Sequence, residues 1–314
     1  MKLAILYAGQ GAQHAGMGKD LYESEPLFRA ALDAADASVD FDLKQLCFEG
    51  PDETLSQTQF TQPCMVAFAA GLTAVLKDKG IEPAAVAGLS LGEYSALCCA
   101  GVFDAATAVS LAAFRGKAME QAVTGRPCGM AAILGLDREA LSAACAQAAQ
   151  TTGGVVEIAN YNCPGQMAIA GDQAAVDAAC EAAKAAGAKR CVPLKVSGPF
   201  HTSLMAPAGD ALREKFKEVS FGEMSCPVYF NCLGAPKADS DTIPALLEKQ
   251  VQSSVYMEDI IRRMAEDGVD AFLEVGPGKT LAGLVKKTVK GAAVRSVETA
   301  EDLAAALEWL KGEA

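Results

Sequence analysis

The stretch that decides the fold is Ala84-Ala85-Val86-Ala87-Gly88-Leu89-Ser90-Leu91-Gly92, which contains the pentapeptide Gly-x-Ser-x-Gly. An apolar run typical of a strand precedes the serine, and a run typical of a helix follows it over 93–100, before Gly101. A strand, a sharp turn and a helix in this order form a nucleophile elbow, in which glycines keep side chains away from the serine. The sequence therefore predicts that Ser90 is a nucleophile; the alternative is a tight turn whose glycines serve packing only.

Strand-like and helix-like segments alternate on both sides of this motif. Strand-like runs lie at 3–8, 84–89, 228–231 and 271–275, and alanine-rich helical stretches such as 63–77 and 105–121 separate them. Alternation of this kind predicts an α/β protein with a mostly parallel sheet that helices cover on both faces.

The segment from 129 to 194 departs from this alternation. Its pattern predicts, in order, strand, helix, strand, strand, helix and strand at 130–136, 137–150, 155–159, 166–170, 172–186 and 191–194. The order βαββαβ is that of the ferredoxin-like unit. Asp137 and Asp172 stand where N-caps of the two helices are expected.

The length of the chain, 314 residues with 51% hydrophobic residues, allows a large domain with a smaller insert. We therefore predict a larger α/β domain over 1–126 and 196–314. The ferredoxin-like subdomain is expected over 127–195.

The composition excludes several classes of protein. A net charge of −12 and a pI near 4.7 argue against nucleic acid or an anionic membrane as the main partner. No apolar run approaches the roughly 18 residues of a membrane span. Eleven cysteines, an odd number without a C-x-x-C pair, indicate a reduced cytoplasmic protein and neither a disulfide framework nor a zinc site. The apolar start at 2–8 lacks a signal-peptide cleavage site.

The chain has two histidines, and a serine hydroxyl needs a base to become nucleophilic. His201 follows Gly198-Pro199-Phe200, a loop, and precedes Thr202 and Ser203, either of which can cap a helix. His14 lies in a loop of small residues, where a surface or anchoring role fits equally well. These residues alone favour His201 as the base only slightly.

Arg115 lies in an otherwise apolar helical stretch and has two interpretations. An exposed arginine whose stem covers apolar surface is the more common case. A buried arginine facing the elbow would instead bind a substrate carboxylate with two hydrogen bonds. The backbone N–H of Leu91 is a natural oxyanion donor, and the loop Gly9-Gln10-Gly11-Ala12-Gln13 is suited to supply a second.

Two glycine-rich stretches resemble nucleotide-binding motifs without matching them. Gly276-Pro277-Gly278-Lys279-Thr280 ends like a P-loop, but the first glycine of that motif would stand at Leu273. Gly9-x-Gly11 lacks the third glycine of a dinucleotide fingerprint, because position 14 is histidine. Three basic pairs are typical of solvated faces or of local anion docking: Lys189-Arg190, Arg262-Arg263 and Lys286-Lys287.

A series of short motifs extends, in order, over nearly the whole chain. They are Gly9-Gln10-Gly11-Ala12-Gln13, Thr61-Gln62-Pro63, Gly88-x-Ser90-Leu91-Gly92-Glu93-Tyr94, Arg115-Gly116-x-x-Met119, Asn160-x-Asn162-x-Pro164-x-Gln166, Pro199-Phe200-His201, Gln250 and Glu274-Val275-Gly276-Pro277-Gly278. Each is weak alone, but together they are specific. The chain resembles the malonyl-CoA:acyl carrier protein transacylases of dissociated fatty acid synthesis. The resemblance implies an α/β-hydrolase-like core that carries the ferredoxin-like subdomain.

The resemblance also implies roles for individual residues. Ser90 is then the acylated nucleophile, and His201 is its general base. The backbone N–H groups of Gln10 and Leu91 form the oxyanion hole, and Arg115 pairs with the malonyl carboxylate.

Further positions follow from the same resemblance. Gln250 orients the histidine through its main-chain carbonyl, which makes a Ser-His dyad and not a full triad. Phe200 fills space that an α-methyl would need, which favours malonyl over methylmalonyl, and Gln62 belongs to the pocket. We expect Lys189 and Arg190 to contact CoA phosphates or the carrier protein. The chain departs from the family at Leu89, where histidine is common, and at Met257, where many members carry an aromatic residue.

The implied activity is transfer of a malonyl group from malonyl-CoA to the phosphopantetheine thiol of acyl carrier protein, by a ping-pong mechanism that supplies fatty acid elongation. The chain is expected to need no metal and no cofactor of its own, because the partner carries the phosphopantetheine. It is expected to be a cytoplasmic monomer that binds neither nucleic acid nor membrane. The alternatives are a stand-alone acyltransferase of polyketide synthesis, a serine thioesterase or esterase, and a non-catalytic carrier-binding subunit.

Overall fold

The computed structural model describes residues 1–194 and 198–312. Its strands are β1 (Leu3–Tyr7), β2 (Ala85–Gly88), β3 (Cys128–Leu134), β4 (Val156–Cys163), β5 (Gln166–Asp172), β6 (Arg190–Leu194), β7 (Tyr229–Phe230), β8 (Ala235–Pro236), β9 (Ala271–Val275) and β10 (Ala293–Val297). Its helices are α1 (Lys19–Ser24), α2 (Pro26–Asp36), α3 (Leu43–Glu49), α4 (Asp52–Leu55), α5 (Thr58–Asp78), α6 (Gly92–Cys99), α7 (Ala105–Gln121), α8 (Arg138–Thr152), α9 (Gln173–Ala185), α10 (Ala206–Phe216), α11 (Ile243–Val251), α12 (Met257–Glu266), α13 (Thr280–Thr288) and α14 (Ala300–Leu310).

The chain divides into two compact units. The first unit comprises Met1–Gly116, Ser220–Tyr229 and Arg262–Ala314, and the second comprises Lys117–Val219 and Phe230–Ile261. The segment predicted as an insert, 127–195, belongs to the second unit, which also includes residues on both sides of it. The predicted boundary at 195/196 lies outside the described residues.

A four-stranded parallel sheet forms the centre of the first unit, in the order β10-β9-β1-β2. Every residue of β1, β2 and β9 is buried. Strands buried on both faces read as continuous apolar runs, which is why the sequence located all three. The predicted mostly parallel sheet is confirmed.

Two other strands of the chain differ from the sequence prediction. The strand expected at 228–231 is only two residues long, β7, and Val228 adds one isolated parallel bridge to Val86. β10 was not predicted, because it is an edge strand with exposed polar residues such as Arg295 between its buried ones. Alternation over five residues is a weak pattern.

α5 is the long apolar helix of the first unit. It begins at Thr58, five residues before the predicted start, so that Pro63 lies inside the helix. Among the described residues it is the helix that is long and apolar enough to cross a membrane, with a mean hydropathy of 1.3 over 18 residues, so the expectation that no apolar run approaches this length is wrong at α5. The protein itself buries 83% of that window, as expected for a core helix.

A buried carboxylate organises the glycine-rich loop after β9. Glu274 accepts hydrogen bonds from the backbone N–H groups of Leu281 and Ala282, each at 2.9 Å, and from the Ser296 hydroxyl at 2.9 Å. The first amides of α13 are therefore occupied by a side chain of the protein itself. This is the physical reason that the P-loop-like stretch before α13 is not a phosphate cradle.

The Glu274 carboxylate should contribute to stability in a pH-dependent way. Burial raises the pKa of Glu274 above its ordinary value of 4.5, so stability falls as the pH rises from 4.5 through the raised pKa. We expect Glu274→Ala, which leaves buried donors unsatisfied, to cost about 1–3 kcal/mol of unfolding free energy. Glu274→Gln should cost less and lose this pH dependence. Urea unfolding between pH 4 and 8 measures the stability of both variants and its pH dependence. Equal stability of Glu274→Ala and Glu274→Gln would contradict the role of Glu274 as a hydrogen-bond acceptor.

The second unit contains a four-stranded antiparallel sheet in the order β4-β5-β3-β6. The chain order is β3-α8-β4-β5-α9-β6, which confirms the predicted βαββαβ arrangement. The core of this part is built by the buried residues Ala131, Ile133, Leu141, Val156, Ile169, Val176 and Ala179.

The two predicted helix caps in this sheet differ. Asp137 caps α8, since its side chain accepts a hydrogen bond from the backbone N–H of Ala140 at 2.8 Å. Asp172 precedes α9, but its side chain does not cap that helix. Its carboxylate instead accepts hydrogen bonds from the Arg126 guanidinium, at 2.6 and 2.9 Å, and from the Val155 N–H at 2.8 Å. Asp172 thus occupies the predicted N-cap position of α9, but its carboxylate binds the Arg126 guanidinium in place of the helix amides.

Candidate active site

Ser90 lies in a sharp turn between β2 and α6 of the first unit. Its φ is +53°, and His201, at +61°, is the other described non-glycine residue with positive φ. Serine and histidine adopt this conformation at a cost, and such strain is concentrated at functional positions. The predicted strand, turn and helix around Ser90 are present as expected.

Three glycines allow backbone segments to approach at the elbow. A Cβ atom on Gly88 would lie 1.9 Å from the carbonyl carbon of Gly92, and a Cβ on Gly92 would lie 2.2 Å from the Tyr7 carbonyl oxygen. A Cβ on Gly9 would lie 2.5 Å from the Leu89 carbonyl oxygen. The glycines therefore serve packing, and this packing brings the end of β1 against the turn that carries the serine.

Replacing Gly92 should disrupt this approach. In Gly92→Ala the new methyl group meets backbone that no rotamer change can move, so we expect a loss at or above the upper end of about 1–3 kcal/mol. Gly283→Ala is the matched control, because a Cβ there has no neighbour within 4 Å. Gly283 lies inside α13, so alanine should stabilise it by about 0.5–1 kcal/mol. Urea unfolding of both variants checks the pair, and equal effects would contradict the close approach.

The two predicted oxyanion donors lie in loops at the carboxyl ends of neighbouring parallel strands. Leu91 is the residue before α6, and Gln10 is in the loop after β1. The Gln10 side chain donates to the Thr58 hydroxyl at 3.0 Å, which fastens this loop to α5. The positive end of the α6 dipole favours negative charge at the turn. The roles of the two N–H groups remain predictions.

Arg115 is fully buried beside the serine. Its Nη1 donates to the Gln62 Oε1 at 2.8 Å, and its Nη2 donates to the Ser90 Oγ at 3.1 Å. The guanidinium carbon lies 5.6 Å from the centre of the Tyr94 ring, a cation–π distance. The interpretation of Arg115 as an exposed helix arginine is therefore wrong. Burial lowers the pKa of Arg115, but arginine remains protonated in proteins.

Tyr94 is a contact of this arginine that the sequence analysis did not assign. It is fully buried, and burial raises its pKa, so the phenol is neutral at physiological pH. Tyr94 lies in the first turn of α6, whereas Ser90, with its positive φ, precedes that helix, so helical spacing does not relate the two side chains. No local pattern in the sequence indicated that Arg115 contacts both of them.

In the second unit, His201 is 3% exposed, and its Nδ1 lies 2.9 Å from the main-chain oxygen of Gln250. A carbonyl only accepts, so Nδ1 carries the hydrogen and Nε2 holds the lone pair that can take a proton. Gln250 lies in the last turn of α11, where helix carbonyls lack intrahelical partners and the dipole is negative. This contact fixes the tautomer and favours the imidazolium that forms when the base is protonated.

The segment around His201 is fastened by hydroxyl groups. Thr202 Oγ1 donates to the Pro199 carbonyl at 2.6 Å, which closes the turn. The Ser203 N–H and hydroxyl donate to the Glu157 carboxylate of β4 at 2.9 and 2.5 Å. Thr202 occupies the N-cap position of the following helical turn, as predicted, but its side chain makes no hydrogen bond to the amides of that turn. Glu157 was not predicted, because its partner is 46 residues away in sequence.

The segment after α11 is attached to the same strand. Ser254 Oγ donates to the Ile158 carbonyl at 2.6 Å, and the Val255 N–H donates to the Ala159 carbonyl at 2.8 Å. Both partners of the histidine–carbonyl contact are thereby anchored to β4. The edge of the antiparallel sheet thus acts as the support for His201.

The remaining predicted residues lie as follows. Phe200 is 7% exposed and packs on Gly198, where a Cβ would lie 2.9 Å from its ring. Lys189 and Arg190 are exposed at the start of β6, and the Lys189 N–H donates to the Leu134 carbonyl at 2.8 Å. Their predicted contacts with substrate or carrier remain predictions.

The structure groups the predicted residues into two sets, one in each unit. Ser90, Arg115 and Gln62 form one hydrogen-bonded set in the first unit. His201 and Gln250 form the other set in the second unit. Among residues 1–194 and 198–312, no three His, Cys, Asp or Glu side chains are grouped to hold a metal ion.

Comparison with known proteins gives a consistent result. The family model described as the acyl transferase domain matches residues 5–306. The chain belongs to the acyl transferase family. A malonyl CoA-acyl carrier protein transacylase of Bacillus subtilis is 40% identical to this acyl transferase over 312 residues, which cover 99% of this chain and 98% of the relative.

Solved structures agree with this membership. An acyl carrier protein S-malonyltransferase from Vibrio cholerae superposes on the acyl transferase with a TM-score of 0.94 at 41% identity, covering 98% of this chain and 100% of that one. A type II PKS acyl-carrier protein in complex with its malonyl-transacylase gives a TM-score of 0.94 at 38% identity, covering 98% and 99%. The acyl transferase therefore has the fold that its sequence predicted.

Proposed function

We propose that this acyl transferase moves a malonyl group from malonyl-CoA to the phosphopantetheine thiol of an acyl carrier protein. The relatives named above are malonyl transferases that act with an acyl carrier protein. The observation that carries the proposal is the buried Arg115 guanidinium, 3.1 Å from the Ser90 hydroxyl. A cation beside the nucleophile favours an acyl group that ends in a carboxylate.

The first half-reaction forms an ester on Ser90. His201 Nε2 takes the hydroxyl proton, and the serine oxygen attacks the thioester carbonyl of malonyl-CoA. Two backbone N–H groups, those of Gln10 and Leu91, stabilise the tetrahedral oxyanion, and each such donor contributes about 3–4 kcal/mol in comparable sites. The intermediate collapses, the carbon–sulfur bond breaks, and the His201 imidazolium protonates the departing CoA thiolate.

The second half-reaction repeats these steps with another nucleophile. The phosphopantetheine thiol of the carrier gives its proton to His201 and attacks the malonyl-Ser90 ester. The ester oxygen leaves and recovers the proton, which regenerates Ser90. The chain needs no cofactor of its own, because the reacting thiol arrives on the partner.

The Gln250 carbonyl supports both halves. It holds the Nδ1 hydrogen, so the lone pair of the neutral imidazole is on Nε2, which can accept the next proton. A carboxylate partner, as in a full triad, is replaced by the negative end of a helix. This arrangement supports a dyad.

The carrier also has to approach a protein of net charge −12. An acidic carrier would be repelled overall, so a local basic surface is needed for docking. Lys189 and Arg190 are exposed side by side and are our choice for contact with the carrier or with CoA phosphates. We propose that the chain works as a soluble, cytoplasmic monomer; the burial of α5 within the protein supports the first of these three properties.

A second setting for the same chemistry is polyketide synthesis. The similar structure of a malonyl-transacylase with a type II PKS carrier favours it as an alternative to fatty acid elongation. The reaction at Ser90 is the same in both, and only the carrier differs. Transfer rates to purified carriers of the two kinds distinguish them.

Acylation of Ser90 can be tested by intact-protein mass after brief incubation with malonyl-CoA. We expect a malonyl adduct on the wild type and none on Ser90→Ala, because the ester needs the serine oxygen. Adding acyl carrier protein should remove the adduct. Release of CoA into water without an adduct would instead indicate a thioesterase. Absence of both would indicate a carrier-binding subunit.

Selection of the malonyl carboxylate can be tested at Arg115. Losing one partner of a buried charge pair costs about 2–5 kcal/mol, so Arg115→Ala should lower kcat/KM for malonyl-CoA at least about 30-fold. Acylation by acetyl-CoA, which has no carboxylate, should fall much less or rise. Arg263→Ala, at an arginine paired with Asp267 on the surface, is the control. An unchanged malonyl-to-acetyl ratio in Arg115→Ala would contradict the proposed role.

A further inference from the structure

His14, the histidine that the mechanism does not use, joins three loops of the first unit. It lies four residues after Gln10 in the loop that follows β1. Its Nε2 is 2.5 Å from Glu298 Oε1, and Glu298 follows β10. The other carboxylate oxygen, Oε2, accepts the Gly278 N–H at 2.9 Å, from the loop after β9. The Glu298 carboxylate therefore contacts His14 of one loop and Gly278 of another.

Both ring nitrogens of His14 face oxygen atoms that only accept hydrogen bonds. Nδ1 lies 3.0 Å from the Ala15 carbonyl oxygen, and Nε2 faces the Glu298 carboxylate. A neutral imidazole has a single N–H and satisfies one of them, whereas the imidazolium satisfies both. The charged groups acting on the ring are Glu298 and Asp52, and Asp52 also accepts the Ala15 N–H at 2.7 Å. The site is built for the protonated ring.

The loop held by His14 has further anchors beyond Gln10: the Ala15 N–H donates to the Asp52 carboxylate at 2.7 Å, and the Gly16 N–H donates to the Cys47 carbonyl at 2.8 Å. Gly11, Gly16 and Gly18 all have positive φ, and a Cβ on Gly11 or Gly16 would have no neighbour within 4 Å. The near side is fixed by the close packing of Gly9 and by the Gln10–Thr58 hydrogen bond. His14 therefore adds its contact with Glu298 to the anchors on the far side of a glycine-rich segment whose near side carries the Gln10 N–H.

We propose that His14 is a positioning residue whose imidazolium, bound to Glu298, holds the Gln10 loop in place for acylation of Ser90. The inference rests on the proposed function, in which the Gln10 N–H stabilises the oxyanion. His14 touches neither the substrate nor Ser90 in this role. It acts through the loop, and it makes the loop sensitive to pH.

The direction of the pH effect follows from the partners. The hydrogen bond with Glu298 is the main cause that raises the pKa of His14 above its ordinary value of 6.5. The contact is fully present below 6.5 and is lost as the pH rises through the raised pKa. Because the His14 side chain is 50% exposed, we expect an effect of about two- to five-fold on kcat/KM for malonyl-CoA. Acylation should therefore decline on the alkaline side.

The protonation of His14 can be measured without activity. The chain has two histidines, so NMR titration of the ring signals in the wild type and in His14→Gln assigns both. We expect a pKa for His14 above the ordinary value and a lower pKa in Glu298→Gln, which keeps the shape and removes the charge. An equal pKa of His14 in the wild type and in Glu298→Gln would overturn the proposed contact between the His14 imidazolium and Glu298.

The positioning role is then tested by the pH profile of kcat/KM for malonyl-CoA. His14→Gln should be about two- to five-fold slower at neutral pH and should lack the alkaline decline. His14→Arg, a permanent cation that can still donate to Glu298, should retain the rate and extend it to higher pH. Lys217→Gln, from an exposed pair with Glu214, is the control and should match the wild type.

The outcomes separate the two proposals. If the wild type forms no malonyl adduct at any pH, the proposed function fails. If the wild type is acylated and the His14→Gln profile superimposes on it, this inference alone is overturned. If His14→Gln unfolds, the comparison of the wild type with His14→Arg remains decisive, and an identical alkaline decline in both overturns the inference.

Discussion

The contact on which the rest of the active site depends is made between backbone atoms. The carbonyl of Tyr7 at the end of β1 lies so close to Gly92 that any side chain there would collide with it. The same approach fixes the distance between β1 and the turn after β2, and it places the loop of Gln10 beside Ser90. Side chains can adjust to their neighbours, but two backbones in contact leave no such freedom. The nucleophile is thus positioned by the sheet itself.

A second constraint is the buried charge of Arg115. A guanidinium without water must be compensated, and here Gln62, the Ser90 hydroxyl and the Tyr94 ring share that task. These three partners are neutral, and the buried Glu93 adds a charge that acts on the guanidinium through space. We propose that the same guanidinium binds a substrate carboxylate that reaches the serine. The buried Arg115 charge, which opposes folding, therefore provides the selectivity that we propose for the substrate.

The sequence predicted most of the fold, because buried parallel strands and alanine-rich helices have strong patterns; β9 and α7 were located to the residue. It missed β10, whose alternating exposure over five residues gives no such pattern. At the site, glycine spacing identified Ser90. The contact of His201 with a carbonyl 49 residues away could not be predicted from local patterns, so the residues alone did not separate the two histidines. The burial of Arg115 could not be predicted either, because alanines occur on most faces of α7 and the sequence does not show which face is buried.

The partner of His201 is a main-chain oxygen, and this has a consequence for how the protein tolerates mutation. Every amino acid supplies a carbonyl, so no single codon change at position 250 deletes the group that holds the imidazole. In an enzyme with an aspartate in that place, one nucleotide change can remove the orienting group. Here the orientation of the imidazole depends on the end of α11 and on the hydrogen bonds that attach the following segment to β4. The orientation of the base therefore follows from the fold, and most point mutations at position 250 leave it unchanged.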